Sequence, residues 1–218
     1  MQPSRRLAAI LFTDIVGSTA MMQKDEPGAM FVNKRYVAVL KECVLTHAGE
    51  ILNDFGDGSL CCFGSVTEAL RCAMKMQQHF QQEPKVPLRI GLHVGEIFFD
   101  DDKVFGDGVN VASRVQSLGV ANSILFSSQI NSQIKNQPEF NSVSIGKFEF
   151  KNVDEPMEVF ALANDGFVIP DKKNIEGKLK ENKNSAKRKW LISIGVLIFA
   201  ATSFFLYNYF LTGNNINQ

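Results

Sequence analysis

The sequence predicts an α+β fold in which helices pack on a mixed β-sheet. Short apolar runs typical of strands alternate with longer segments of helical periodicity, in the order β, long α, ββ, α, β, α, β, α, ββ. The chain has 218 residues, of which 45% are hydrophobic, and this content is enough for one sizeable core. Adjacent strand pairs separated by helices are typical of helices packed on a mixed sheet.

Local signals place the elements in order. Pro27 belongs near a helix start, Asp57-Gly58 is a strong hairpin signal, and Ser65 or Thr67 is a suitable helix cap. The predicted elements are a strand at 7–13, a helix within 21–48, two strands within 49–64, a helix at 65–82, a strand at 88–99, a helix from the second Gly-Asp-Gly, a strand at 123–126, a helix at 127–134, and strands at 143–150 and 157–162.

Charge and cysteine content exclude several classes of protein. Lysine plus arginine and aspartate plus glutamate both number 23, so we do not expect nucleic acid to be a partner. The cysteines form no CxxC pair and have no histidine spacing suited to zinc. We therefore expect them to be reduced core residues; they are Cys43, Cys61, Cys62 and Cys72.

The C-terminal part has the composition of a membrane anchor. Residues 190–211 are 22 residues without a charged side chain, and about 20 apolar residues cross a bilayer. Basic residues 187–189 precede them, while 212–218 carry no charge, so the positive-inside rule keeps the rest cytoplasmic. Since no signal peptide is recognisable, we expect a cytoplasmic domain at 1–163, a basic linker at 164–189, a transmembrane helix, and a short extracytoplasmic tail at the bacterial inner membrane.

Two aspartates occupy positions suited to metal binding. Asp14 ends the first apolar strand, in ILFTDIVGST, and Asp57 lies in the later hairpin. Neighbouring strands would bring both carboxylates to one edge of the sheet, where Mg²⁺ could bind them together with phosphate oxygens. Each aspartate taken alone is also compatible with a structural role, Asp14 as a cap and Asp57 as a turn residue.

Three segments, ILFTDIVGST, FGDGSLCCF and GDGVNVASR, resemble in this order the signature segments of the class III nucleotidyl cyclase catalytic domain. The closing FEFKNVDEPMEVFAL resembles the last hairpin of that family, so the similarity covers about residues 6–162. The resemblance implies the ferredoxin-like mixed sheet of class III cyclases. It also implies conversion of a nucleoside triphosphate to a 3′,5′-cyclic monophosphate and pyrophosphate.

The resemblance also implies roles for individual residues. Asp14 and Asp57 match the aspartates that bind two Mg²⁺ or Mn²⁺ ions, and the carbonyl of Ile15 matches a further metal ligand. We expect the backbone N–H groups of the next turn to bind phosphate. These residues are Gly17, Ser18 and Thr19.

A second group matches residues that act on the substrate from the other subunit. Asn110 and Arg114 match the transition-state pair, and their spacing of four places both on one helix face. Lys151 matches a lysine that holds the terminal phosphates. Because the family shares each site between two chains, a homodimer is implied. Taken alone, each of these residues is better explained by an ordinary surface position.

The substrate base is left open by the sequence. The two base-selecting positions of the family hold Asn53 and Lys103, which match neither the adenine pattern nor the guanine pattern. A shift of one residue in the alignment would place Asp102 at the second position and restore half of the adenine pattern. ATP is expected from its abundance and from the frequency of adenylate cyclases in bacteria. The alternatives are a UTP or CTP cyclase of phage-defence signalling and an inactive nucleotide-sensing dimer.

Overall fold

The computed structural model describes residues 4–100, 103–150, 153, 155–171 and 175. The chain divides into two compact units, Met1–Lys172 and Lys173–Gln218, and the first contains every element given below. The strands are β1 (Ser4–Ile15), β2 (Gly49–Asp54), β3 (Gly58–Phe63), β4 (Leu88–Asp100), β5 (Lys103–Phe105), β6 (Ile124–Ser127), β7 (Ser142–Phe148) and β8 (Met157–Leu162). The helices are α1 (Ser18–Lys24), α2 (Glu26–Thr46), α3 (Val66–Phe80), α4 (Asp107–Leu118) and α5 (Ser128–Ile134).

The strands form one mixed sheet in the order β2-β3-β1-β4-β6-β8-β7, with β5 paired to β4 outside this path. Strands β4 and β6 run parallel, and every other neighbouring pair is antiparallel. The predicted α+β class and mixed sheet are therefore confirmed. The long β1 is an inner strand, between β3 and β4, so its C-terminal end is supported from both sides.

Alternation along β1 divides its side chains between two cores. Ala9, Leu11 and Ile15 belong to the larger core, which also includes buried residues of α2, α3 and α5. Ala8 and Ile10 belong to a smaller core with Ala112 of α4. Asp14 has the same parity as Ala8 and Ile10, so the period of two places it on the face that carries α4.

Some local features differ from the sequence prediction. The single helix predicted within 21–48 is divided at Asp25, whose carboxylate accepts a hydrogen bond from the Gly28 N–H (3.1 Å) and caps α2. Pro27 lies in the first turn of α2, as expected. No strand was predicted between residue 99 and the following helix, whereas the structure has the short strand β5 there, in which Lys103 pairs with Asp100 of β4.

The four cysteines are free and buried, as predicted, and burial raises the pKa of each thiol. Among the residues that the structure describes, no helix has the length and apolar character needed to cross a bilayer. The predicted anchor at 190–211, the extracytoplasmic tail and almost all of the basic linker lie outside the described residues.

Candidate active site

The end of β1 and the turn between β2 and β3 bring the two aspartates together. Asp14 lies opposite Gly58 in the β1–β3 register, and the Ile15 N–H donates to the Asp57 carbonyl at 2.7 Å. The two acidic positions are therefore on hydrogen-bonded neighbours at one edge of the sheet. This is the juxtaposition expected from the sequence.

Glycines make this close approach possible. A Cβ atom on Gly58 would lie 2.3 Å from the Thr13 carbonyl oxygen, so no side chain fits between β3 and β1 at this point. The positive φ of the turn belongs to Gly56 (φ 89°), one residue before Asp57. The turn thus spans 55–57. It lies about one residue earlier than predicted from Asp57-Gly58, because Gly58 already begins β3.

Arg89 on β4 holds the Asp14 carboxylate. Its Nε and one terminal nitrogen lie 2.8 and 2.7 Å from the Asp14 Oδ2, and both side chains are about three quarters buried, with 24% and 27% exposed. Another terminal nitrogen of Arg89 donates to the Ser117 carbonyl of α4 at 3.3 Å. Arg89 therefore neutralises Asp14 and links it to the last turn of α4.

The Asp57 carboxylate is held by a residue that follows the turn after β1. The Ser18 hydroxyl donates to the Asp57 carboxylate at 2.5 Å. Gly17 has a left-handed backbone (φ 77°) and forms the N-cap of α1, which Ser18 and Thr19 begin. Gly17, Ser18 and Thr19 therefore lie beside the acidic pair.

A pocket of about 610 Å³ opens beside Asp57, and α1 and α2 line much of it. A cavity of this size admits a small molecule. Within the described part of the chain, no group of three or more His, Cys, Asp or Glu side chains could hold a metal ion. Two carboxylates and the Ile15 carbonyl nevertheless fit Mg²⁺ or Mn²⁺, since such ions use few protein ligands and complete their shell with water and phosphate.

Asn110 and Arg114 lie on α4. Helix α4 packs directly on β4. The two backbones are so close that a Cβ atom on Gly108 would lie only 2.9 Å from the Gly95 Cα. Asn110 is exposed and Arg114 is half-buried. Their separation by four residues within one helix places both on the same face, as expected from the sequence.

The remaining predicted residues are only partly described. Asn53 is exposed on β2, next to a register shift, and Lys103 begins β5. Their neighbours Leu52 and Val104 pack against the same small core. Lys151 and Asp102 lie outside the described residues, as does the Lys103 side chain.

The sequence reasoning did not identify Arg89. It is a lone cation near the start of the apolar run LRIGLHVG, and this was the available signal. Its partner became evident only from the register, in which Arg89 lies directly opposite Asp14.

Comparisons with known proteins agree with this geometry. Residues 2–164 match the adenylate and guanylate cyclase catalytic domain. Over 164 residues the chain is 34% identical to putative adenylate cyclase 3 of Rhizobium meliloti, covering 72% of this chain and 28% of that protein. It is 32% identical to an adenylate cyclase of Anabaena cylindrica over 139 residues, covering 53% of this chain and 28% of that protein. The chain thus spans less than a third of the length of these two relatives.

Solved structures show the same fold. An adenylate/guanylate cyclase/hydrolase from Silicibacter pomeroyi superposes with a TM-score of 0.69 at 30% identity, covering 75% of this chain and all of the other. The adenylyl cyclase CyaB from P. aeruginosa superposes with a TM-score of 0.68 at 21% identity, covering 76% of this chain and 97% of the other. Together with the matched family model, these similarities show that the chain belongs to the adenylate and guanylate cyclase catalytic domain family.

Proposed function

We propose that this protein is a nucleotide cyclase that converts a ribonucleoside triphosphate to its 3′,5′-cyclic monophosphate and pyrophosphate. The observation that carries the proposal is the pairing of β1 with β3, which brings the positions of Asp14 and Asp57 together beside a pocket. In a chain of this family, that arrangement suits a pair of divalent cations bound to a triphosphate.

In the proposed reaction the ribose 3′-oxygen attacks the α-phosphorus. A new oxygen–phosphorus bond forms, the bond to the β-phosphate bridging oxygen breaks, pyrophosphate leaves, and the hydroxyl proton passes to water. Asp14, Asp57 and the Ile15 carbonyl would hold Mg²⁺ or Mn²⁺, which when bound polarises phosphate oxygens and favours the ionised hydroxyl.

The protein's own contribution is position and charge. Arg89 and Ser18 restrain the two carboxylates, so little reorganisation is needed when the substrate binds. We propose that the N–H groups of Gly17, Ser18 and Thr19 bind a phosphate at the start of α1.

We propose that the active enzyme is a homodimer in which Asn110 and Arg114 of one chain complete the site of the other. Asn110 would orient the ribose, and Arg114 would offer a forked donor to the transferring phosphate. Exposed aromatic surface supports a contact between proteins. Phe55 is 52% exposed and stacks on Phe12, and Phe105 is 50% exposed and stacks on Phe98. Lys151 would bind the terminal phosphates.

ATP is the proposed substrate, and two relatives named adenylate cyclase support it. Asn53 and Lys103 favour keeping a second candidate, a UTP or CTP cyclase, because an exposed amide at Asn53 can donate and accept hydrogen bonds with several bases. A nucleotide-sensing dimer without activity is the alternative outside catalysis. Such a sensing dimer would have no need to keep all four residues, the acidic pair as well as Asn110 and Arg114.

The segment 190–211 is proposed to anchor the protein in the bacterial inner membrane, with the catalytic domain on the cytoplasmic side. Membrane fractionation tests this. The full chain is expected in the membrane fraction, and a variant with Leu197→Arg and Phe199→Arg is expected to leave it. Recovery of the unaltered chain in the soluble fraction would contradict the proposal.

The proposed activity is tested by incubating the purified full-length protein with each of the four ribonucleoside triphosphates and Mg²⁺ or Mn²⁺. Cyclic product is expected with at least one nucleotide, and its identity assigns the base. The Asp57→Asn variant is the matched control, since it keeps the size of the side chain and removes its charge. If a folded, dimeric protein forms no product from any of the four, the sensing alternative replaces the enzyme.

A further inference from the structure

Two side chains of α2, those of Asn33 and Tyr36, make polar contacts with the turn and the strands beside the acidic pair. Asn33 donates from Nδ2 to the carbonyl of Gly56, the residue directly before Asp57. Tyr36, three residues later and on the same helix face, reaches the strands behind the two aspartates.

The contact of Tyr36 forms a closed hydrogen-bond network. Its hydroxyl lies 2.6 Å from the Thr13 Oγ1 and donates to the Ser59 Oγ at 2.7 Å. The Ser59 N–H in turn donates to the Thr13 Oγ1 at 2.9 Å. All three residues are completely buried, so the Tyr36 hydroxyl depends on the Thr13 and Ser59 hydroxyls for its hydrogen bonds.

The network lies next to the site along both strands. Thr13 directly precedes Asp14, Ser59 is two residues after Asp57, and Thr13 and Ser59 are partners in the β1–β3 register. Burial raises the pKa of Tyr36, so its hydroxyl keeps the proton that it donates. The network therefore fixes the separation of β1 and β3 where both aspartates project.

We propose that Asn33 and Tyr36 are positioning residues that set the metal affinity of the acidic pair. This inference rests on the metal-binding role proposed above for Asp14 and Asp57. Asn33 fixes the turn that carries Asp57, and Tyr36 fixes the two strands against each other. Neither residue needs to contact a metal or a nucleotide.

The test is a titration of the full-length protein with Mn²⁺ alone, followed by electron paramagnetic resonance, which needs no turnover. Asn33→Leu removes the donor at similar size, and Tyr36→Phe removes only the hydroxyl. Each is expected to weaken Mn²⁺ binding about 10-fold, the usual cost of losing a group that orients a ligand.

Arg35→Met is the matched control. Arg35 lies on the same helix, and its guanidinium also donates to a main-chain carbonyl, that of His79 at 2.8 Å, but this carbonyl belongs to α3 and not to β1, β3 or the turn at 55–57. This variant is expected to lower the melting temperature and to leave the Mn²⁺ affinity of the folded protein unchanged. A general loss of stability would affect the control in the same way.

Unchanged Mn²⁺ affinity in Tyr36→Phe and Asn33→Leu would overturn the inference, as would an equal loss in Arg35→Met. Absence of Mn²⁺ binding by the unaltered chain would overturn both this inference and the proposed metal role. If the unaltered chain binds Mn²⁺ but forms no cyclic product, only the proposed activity fails, and the comparison of affinities still decides the role of Asn33 and Tyr36.

Discussion

Arg89 and Asp14 form a two-nitrogen ion pair, with Nε and a terminal nitrogen 2.8 and 2.7 Å from the same carboxylate oxygen. The pair joins β4 to the end of β1, opposite the side on which β3 approaches. Since most of both side chains is buried, the guanidinium compensates a charge that would otherwise be costly to enclose. The ion pair thereby fixes the position of the Asp14 carboxylate at the edge of the sheet.

The first prediction concerns this ion pair. Arg89→Met is expected to lower kcat/KM for cyclisation by about 10-fold to 100-fold, because Asp14 loses the group that orients it. Arg89→Lys should retain more activity than Arg89→Met, although an ammonium group cannot reproduce the two-nitrogen contact of the guanidinium with Asp14. Steady-state rates at saturating Mg²⁺ measure both. Wild-type kcat/KM in Arg89→Met would show that the pair has no part in the reaction.

The second prediction concerns the close approach of β3 to β1. Gly58→Ala places a methyl group 2.3 Å from the Thr13 carbonyl oxygen, so the strands must separate beside Asp14. A displacement of about 1 Å costs roughly 100-fold in rate, and we expect a loss of that size.

Gly64→Ala is the control for the second prediction, since no atom outside Gly64 and its two chain neighbours lies within 4 Å of the added carbon. It should keep wild-type activity and melting temperature. If Gly58→Ala were as active as Gly64→Ala, the β1–β3 contact could not be essential for the site.

The third prediction concerns pH and stability. His93 is 7% exposed on β4, its Nδ1 lies 2.9 Å from the Ser127 Oγ, and burial lowers its pKa to about 4. The unfolded chain, with an ordinary histidine pKa near 6.5, therefore binds the proton more readily than the folded one. His93 is thus expected to reduce the free energy of unfolding as the pH falls from about 6.5 to 4, by as much as about 3 kcal/mol.

Denaturant unfolding of the unaltered protein and of His93→Gln at several pH values between 4 and 7 measures this effect. Glutamine is neutral throughout and can still accept a hydrogen bond from Ser127. The difference in unfolding free energy between the two proteins should change in favour of His93→Gln as the pH falls. A difference that does not vary with pH would contradict the prediction.

Local sequence signals were enough to predict most of the fold. The alternation and periodicity of apolar residues predicted the α+β class, and Ser65 was correctly one of two expected caps for α3. The break before α2 was missed because the helical pattern continues across Asp25, although Asp25 followed by Pro27 carried the signal. Strand β5 has only three residues, too few for a period of two to be recognised.

Some residues of the candidate site were likewise predicted from the sequence, and others were found only in the structure. Asp14 and Asp57 were predicted as a pair from a strand end and a hairpin turn, and their metal-binding role was predicted from the resemblance to the cyclase signature segments. Arg89 and Asn33 were missed, since their roles depend on partners 75 and 23 residues away along the chain. Register and helix packing create these pairs, and neither can be obtained from a local pattern.

The most direct test of a site shared between two chains is complementation between inactive variants of the full-length protein. Asp14→Ala and Arg114→Ala are each expected to abolish product formation. A mixed dimer of the two keeps one complete site, so co-expression should restore about one quarter of the wild-type activity, because half of the dimers are mixed and each has one of two sites intact. Asp14→Ala with Asp57→Ala is the control, since both lesions affect the acidic half of a site and no complete site can form. Recovery in the first mixture alone is the predicted result; no recovery in either mixture, from dimers shown to exchange, would contradict the shared site.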